Sequence, residues 1–418
     1  MVYDMIVVGG GAAGCFAASH ASAAGLRVLV LDGNDRLMHK LSITGKGRCN
    51  LTNACDRDEL MRNILRNPRF LYSAFSHCAP QDVMEYFEKC GVPLKIERGR
   101  RVFPVSDRAA DIAAALHKQM TANGVEIRLN EPVKRLLVTE GRCTGVQTGG
   151  GEYRADAVLL ATGGMSYPRT GSRGAGYRLA EQAGHTVKTP QPSLIPLETV
   201  EKDAAEMQGL SLRNVTLTVK SGKKALFSEQ GEMLFTHFGI SGPLVLSASC
   251  VMDPGMLADY ELRIDLKPAL TPEQLDRRLL RDFAEVPNRA LGNVLKSLLP
   301  ASMIPVMLRR AGLSGAEKVN SVTKEQRRAI AENVKSLCYH VSAMRPIAEA
   351  IVTRGGVTVR EVNPNTMESK ITPGLYFAGE LLDTDGFTGG YNLQIAFATA
   401  YTAAAAIRER KNSLLYAG

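Results

Sequence analysis

Tyr3-Asp4-Met5-Ile6-Val7-Val8-Gly9-Gly10-Gly11-Ala12-Ala13-Gly14 decides the fold of this chain. Its first half is apolar and β-branched with little alternation, as suits a strand buried on both faces of a parallel sheet. Gly9, Gly11 and Gly14 then allow a tight turn, a close approach of backbone to a pyrophosphate, and close packing of the next helix on the strand. That helix is predicted from Ala12 to about Ala24 and ends at Gly25. A glycine pattern alone is weak, and its surroundings carry the reading. A second strand, Arg27 to Leu31, ends in an acid, Asp32, 18 residues beyond Gly14, where a carboxylate is placed to bond an adenosine ribose. Gly9, Gly11, Ala12, Ala13, Gly14 and Asp32 are therefore candidate contacts to a dinucleotide.

The next segment argues for FAD over a nicotinamide. Residues 39 to 53 form a glycine-punctuated loop crowded with cations and amides. Lys40, Lys46 and Arg48 can compensate phosphates, and Asn50 and Asn53 offer donors and acceptors to a polar ring. Thr44, Gly45 and Cys49 belong to the same candidate site. Lys46 reads equally well as a solvated loop lysine.

The chain's 418 residues exceed what one hydrophobic core usually supports, so two or three domains are expected. Its hydrophobic fraction of 45% and charged fraction of 22% exclude a disordered chain. The net charge of +9 is spread among nearly as many acids and accompanies no recognised binding motif, which argues against nucleic acid as the partner. No signal peptide is read at the start, and no apolar run approaches the ~20 residues of a membrane span. A cytoplasmic protein that does not engage membranes is expected. The eight cysteines show neither a CxxC pair nor a zinc-type double pair, so they are read as reduced, and no metal is expected.

Six stretches, VVGGGAAG, KLSITGKGRCNLTN, VLLATGG, FTHFGISGP, TMESK and GLYFAGELLDTDGFTGGYNLQ, resemble the YhiN/BaiN-like family of bacterial FAD-binding flavoproteins across essentially the whole chain. That family includes aminoacetone-oxidase-like and bile-acid-operon oxidoreductase-like members. Asp32 departs from the Glu more usual in such proteins, which shortens the reach to the ribose. The resemblance implies an α/β architecture: an FAD-binding two-dinucleotide-fold domain, Rossmann-like and glutathione-reductase-like, interrupted by an inserted β-rich plus helical domain. It places Val133 on the adenine side, Thr162 and Gly163 in a turn beside the cofactor, and Gly379, Glu380 and Asp385 along the phosphates and ribityl chain. Asn392 and Leu393 would offer backbone groups to the isoalloxazine. A solvated loop is the alternative for Asp383 and Asp385.

Along the chain, the strands 133 to 139, 143 to 148 and 152 to 154 read as an antiparallel meander, followed by a separate return strand from Asp156 to Ala161. Ser106 or Asp107 is expected to cap the helix that ends near Asn123. Gly171 to Gly176 looks like a second phosphate loop, but no buried strand precedes it, so no dedicated NAD(P)H domain is read. Pro190, Pro192 and Pro196 mark the exit from the cofactor domain. The expected division is 1–190 with 346–418 for FAD, 191–270 for an inserted β-rich substrate domain, and 271–345 for its helical subdomain. A helix starting at Gly390 would set its N-terminus against the negative charge of reduced flavin.

Cys49 and Cys55 invite a dithiol reading, but their spacing differs from the C-x4-C of flavin-linked disulfide reductases, and Cys49 is taken as a small residue against the flavin. His237 and Tyr391 are the acid–base candidates; a backbone-bonded structural histidine is the alternative for His237. An FAD-dependent oxidoreductase is expected. It would move a hydride between flavin and a small organic substrate held between the insertion and the flavin, with NAD(P)H or oxygen as the other redox partner. The alternative is an RNA- or protein-binding flavoprotein in which FAD is structural.

Overall fold

The computed structural model describes residues 2–417, with side chains as far as Ser413, so Met1 and Gly418 lie outside the described residues. Two compact units emerge: Met1–Ser193 together with Ile347–Gly418, and Leu194–Pro346.

In the first unit the strand Val2–Val8 lies between Val28–Leu31 and Glu152–Leu160, parallel to both. Met5, Ile6 and Val7 are fully buried, which explains the unbroken apolar run. Glu126–Arg128 extends the sheet in parallel beyond Val28–Leu31. The meander and the return strand are not separate. Glu152–Leu160 is one strand whose first residues pair antiparallel with Arg142–Gln147 and whose last pair parallel with Leu375–Phe377. Alternation at its start and an apolar run at its end record a strand that changes partners halfway along.

The helix Ala12–Ala23 packs on the C-terminal helix Tyr391–Ala417, with the Phe16 and Phe397 rings 4.7 Å apart. Small side chains permit the approach: Ala13, Ala17, Ala21, Ala396, Ala400 and Ala403 are all buried. The helix Ala109–Ala122 starts without a side-chain cap, contrary to expectation. Asp107 is drawn instead to Lys95 and Arg48, because two cations outcompete backbone N–H groups for its carboxylate. Ser106 Oγ accepts from Arg108 N, just ahead of the helix. The exit strand Val187–Ser193 pairs antiparallel with Val352–Val357 and carries Pro190 through a register shift, a place where a missing N–H group is tolerated.

The second unit is built on a closed barrel in the order Leu197–Thr199, Gly239–Ser241, Lys224–Thr236, Ser211–Ser221, Tyr260–Asp265, Leu337–Met344. Leu337–Met344, which the sequence assigned to the helical subdomain, is the strand that closes the barrel by pairing with Leu197–Thr199. Its alternation, with Leu337, Tyr339 and Val341 inward, is the signal that was missed. The helical excursion runs between the last two barrel strands and includes Pro272–Glu285, Ile304–Arg310 and Lys324–Lys335. Thr271 and Thr323 each close a capping box, with Gln274 and Gln326.

Candidate FAD site

The parallel strands Val2–Val8, Val28–Leu31, Glu152–Leu160 and Leu375–Phe377 all end at the same edge of the sheet, and the glycine turns gather there. Gly9 has φ +104°, and a Cβ on it would lie 2.6 Å from Ala161 O. A Cβ on Gly14 would stand 1.9 Å from Gly9 O, so close helix–strand packing is the reason for that glycine. Gly11 differs. Its φ is −81°, which any residue adopts, and a Cβ there would meet nothing within 4 Å. Open space before a helix N-terminus is where a pyrophosphate fits.

Asp32 uses both carboxylate oxygens on the same turn. Oδ2 accepts from Gly10 N at 2.6 Å, and Oδ1 accepts from Asn34 N and Asn34 Nδ2, each at 2.8 Å. Oδ2 keeps a second lone pair for a ribose hydroxyl. Val133 is half-buried in the segment that follows Glu131, whose N–H bonds Asp32 O at 2.9 Å.

The return segment comes back to this edge. A Cβ on Gly379, at φ +73°, would lie 3.1 Å from Ala13 Cβ, and Gly379 N donates to Thr399 Oγ1 at 2.9 Å. Lys40 Nζ donates to Glu380 Oε2 and Ser166 Oγ, both at 2.6 Å. Glu380 Oε1 accepts from Ser166 Oγ and from Thr353 N, while Thr353 Oγ1 accepts from Met165 N and Ser166 N. Ser166 and Thr353 carried no motif; only their neighbours' chemistry marks them. Lys40 thus brings a neutralised Lys–Glu pair to the site and not a spare positive charge.

Arg48 is likewise spoken for: its guanidinium bonds Glu97 and Asp107 and lies 4.1 Å over the Phe103 ring. Its positive charge is thus already shared between two carboxylates. Lys46 is exposed in a run of left-handed backbone, Gly45, Lys46 and Gly47. Thr44 Oγ1 turns back to Leu41 O. The loop is anchored to the far end of the chain. Asn50 Oδ1 accepts from Gly390 N at 3.0 Å and its Nδ2 donates to Thr52 O, with the amide oriented to satisfy both. Thr52 Oγ1 bonds Gln394 Oε1 at 2.7 Å, and Asn53 Nδ2 donates to Gly389 O at 3.0 Å. A Cβ on Gly390 would fall 2.3 Å from Thr52 O. Asn392 closes the preceding turn, accepting from Gly386 N and donating to Gly386 O, each at 2.9 Å. Leu393 is half-buried beside it.

Asp385 is 1% exposed, with both oxygens 2.7 Å from Arg66 Nη1 and one 2.6 Å from Ser193 Oγ. Asp383 is equally buried, held by Lys188 and Asn67. Neither is a solvated loop acid. Asp385 is engaged in an internal ion pair with Arg66.

Burial pushes the Cys49 thiol up to about 12 and the Cys55 thiol up to about 11, so neither is a nucleophilic thiolate near neutrality. All eight cysteines are free. Tyr391 is buried at the head of the C-terminal helix, and His237 is exposed in the two-residue turn between Lys224–Thr236 and Gly239–Ser241.

These residues suit FAD. The Gly11 cradle is open, and two polar atoms in segments assigned to the cofactor, Thr162 Oγ1 and Asn53 Oδ1, are buried without a partner among the described residues. Such atoms cost about 1 to 3 kcal/mol each unless something bonds them.

Fold and site together define an FAD-binding, Rossmann-type oxidoreductase. The chain belongs to the HI0933-like family: the profile of the HI0933-like protein Rossmann domain matches residues 3–406. It is 30% identical over 416 residues to the 3-dehydro-bile acid delta(4,6)-reductase of Clostridium scindens, covering 97% of this chain and 98% of that one. It is also 30% identical over 411 residues to the ribosomal RNA dihydrouridine synthase of Escherichia coli, covering 98% and 99%. Among solved structures, 3-ketosteroid delta1-dehydrogenase from Sterolibacterium denitrificans, in complex with 1,4-androstadiene-3,17-dione, shares the fold with a TM-score of 0.51 at 15% identity, over 98% of this chain and 100% of that one. Among the described residues no helix is long and apolar enough to cross a membrane.

Proposed function

We propose that this flavoprotein reduces a carbon–carbon double bond conjugated with a carbonyl group, with NAD(P)H as the electron donor. One observation carries the reading. Two relatives that match the chain end to end at the same 30% identity carry names that differ in substrate and agree in chemistry. A delta(4,6) bond beside a 3-oxo group and the C5–C6 bond of uracil are both electron-poor alkenes in conjugation with a carbonyl. The chemistry that bound FAD supplies is hydride transfer. This chain's part would be to hold it: Gly9 and Gly11 at the pyrophosphate with Gly14 letting the helix pack close behind them, Asp32 at the ribose, Glu380 near the ribityl chain, and the backbone of Asn392 and Leu393 at the ring. The N–H groups in the first turn of Tyr391–Ala417 have no acceptor within the helix and favour negative charge on a ring beside them. His237 and Tyr391 enter as candidates for the proton that must reach the α-carbon.

The test is anaerobic. Protein reduced with one equivalent of NADPH is mixed with a 4-ene-3-oxosteroid, with a uridine-containing ribosomal RNA fragment, or with buffer, and the return of oxidised flavin absorbance is followed. Reoxidation by either acceptor, with the saturated product found by mass spectrometry, supports the reading and separates small molecule from RNA. Reoxidation by neither, with rapid reoxidation by oxygen, would make the protein an oxidase and sink it. If His237→Gln or Tyr391→Phe slows substrate-linked reoxidation about 100-fold or more while leaving reduction by NADPH unchanged, that residue is the acid.

A further inference from the structure

On the inserted barrel, Tyr260–Asp265 and Leu337–Met344 run antiparallel with Glu261 opposite His340 and Arg263 opposite Cys338. Tyr260, Leu262, Leu337 and Tyr339 point into the barrel, so the period of two sends Glu261, Cys338 and His340 to its outer face together. One donor atom from each of these three lies within 4.8 Å of the others. Behind them, Glu201 Oε1 lies 2.7 Å from His340 Nδ1, and Glu201 Oε2 accepts the His340 backbone N–H at 2.8 Å.

We propose that Cys338, His340 and Glu261 form a site for a divalent metal ion of the zinc class, with Glu201 as the carboxylate that positions the imidazole. The donor set of one thiolate, one imidazole and one carboxylate suits zinc and does not suit magnesium or calcium, which take oxygen ligands. A carboxylate behind a ligating histidine is the usual means of fixing ring and tautomer. Glu261 and Glu201 set two carboxylates on this face beside Cys338 and His340, and Arg263 offsets part of their negative charge through its bond to Glu261 Oε1. Binding would form the Zn–S bond and break the S–H bond, with the Cys338 proton released to solvent.

The placement gives the ion a structural role. The two strands it would join are those that flank the helical excursion, so it would clamp the point where the chain leaves and rejoins the barrel. No sequence spacing announces such a site, because Glu261 and Cys338 lie on strands brought together only by barrel closure.

Full-length, FAD-bound protein would be dialysed against zinc chloride, with bound metal counted and its ligands read by X-ray absorption. One zinc per chain with a sulfur neighbour at about 2.3 Å is expected. Cys338→Ser should remove the sulfur and weaken binding at least tenfold, His340→Gln should weaken it similarly, and Glu201→Gln should cost about tenfold while keeping the sulfur. Far-UV circular dichroism establishes that each variant is folded. Absence of zinc from the wild type, a ligand shell without sulfur, or wild-type zinc affinity in Cys338→Ser or His340→Gln would overturn the proposal.

Discussion

Gly11 and Gly14 stand three residues apart and answer to different demands. Gly14→Ala would drive a methyl group to 1.9 Å from Gly9 O, and the variant should fail to fold or lose several kcal/mol on urea denaturation. Gly11→Ala has room and an ordinary φ. It should keep its urea stability to within about 1 kcal/mol yet bind FAD more weakly, because the methyl occupies the pyrophosphate cradle. Wild-type FAD affinity in Gly11→Ala would place the phosphates elsewhere. Asp32→Ala removes a charged acceptor, and titration of apoprotein with FAD should show a loss of ~1.5 to 3 kcal/mol, roughly tenfold or more in affinity. Part of that loss would come through the turn, since Asp32 also holds Gly10 and Asn34. Asp385→Ala, in contrast, should be a stability variant. Removing Asp385 strips the partly exposed Arg66 of its carboxylate and Ser193 Oγ of its acceptor, a loss of about 1 to 3 kcal/mol, to be read from urea unfolding, and a wild-type midpoint would contradict the assignment of Asp385 to an internal ion pair.

Between elements, the junction of helices Ala12–Ala23 and Tyr391–Ala417 contains an acid-sensitive group. His20 sits among Phe16, Tyr86 and Tyr401, with Nε2 buried and unpartnered. Burial lowers its pKa to about 4. Unfolded, it would titrate near 6.5, so between those values the unfolded chain binds more protons and stability falls as pH falls. Going from pH 7 to pH 5 should cost about 2 kcal/mol through this residue. His20→Leu should remove that share of the pH dependence in urea titrations at the two pH values. An identical slope in wild type and variant would mean that the imidazole reaches solvent. The loop from Thr44 to Asn53 joins the C-terminal helix at its N-terminus, where Asn50, Thr52 and Asn53 hold Gly389, Gly390 and Gln394. Family motifs far apart in the chain therefore form one joint.

For the whole molecule, the redox cycle follows from the single strand–turn–helix unit read for a dinucleotide. Gly171 to Gly176 follows a 3-10 turn, Pro168–Thr170, and not a strand. With no fold of its own, a nicotinamide would use the flavin in turn with the substrate. Steady-state rates against both ligands should give parallel double-reciprocal lines; intersecting lines together with a separately protected nicotinamide site would return attention to residues 165 to 185. With all eight cysteines free and Cys49 and Cys55 buried, reductive titration should take up two electrons per chain and not four.

The dinucleotide turn, its flanking strands, the acid at position 32 and the family were legible in the sequence, because each is set by local spacing: glycines where backbone must pass close, apolar runs where a strand is covered on both faces. What side chains do with their charges was not. Lys40 meets Glu380 across 340 residues, Arg66 meets Asp385 across 319, and Arg48 turns to Glu97 and Asp107. A pattern of residue types shows that cations and acids are present, but only the closed fold decides which of them neutralise one another. The same holds for Leu337–Met344, whose alternation suited a strand while its partner, Leu197–Thr199, lay far back in the chain. Hydrogen-bond pairing and ion pairing act over a few ångströms in space, and distance along the chain does not encode them.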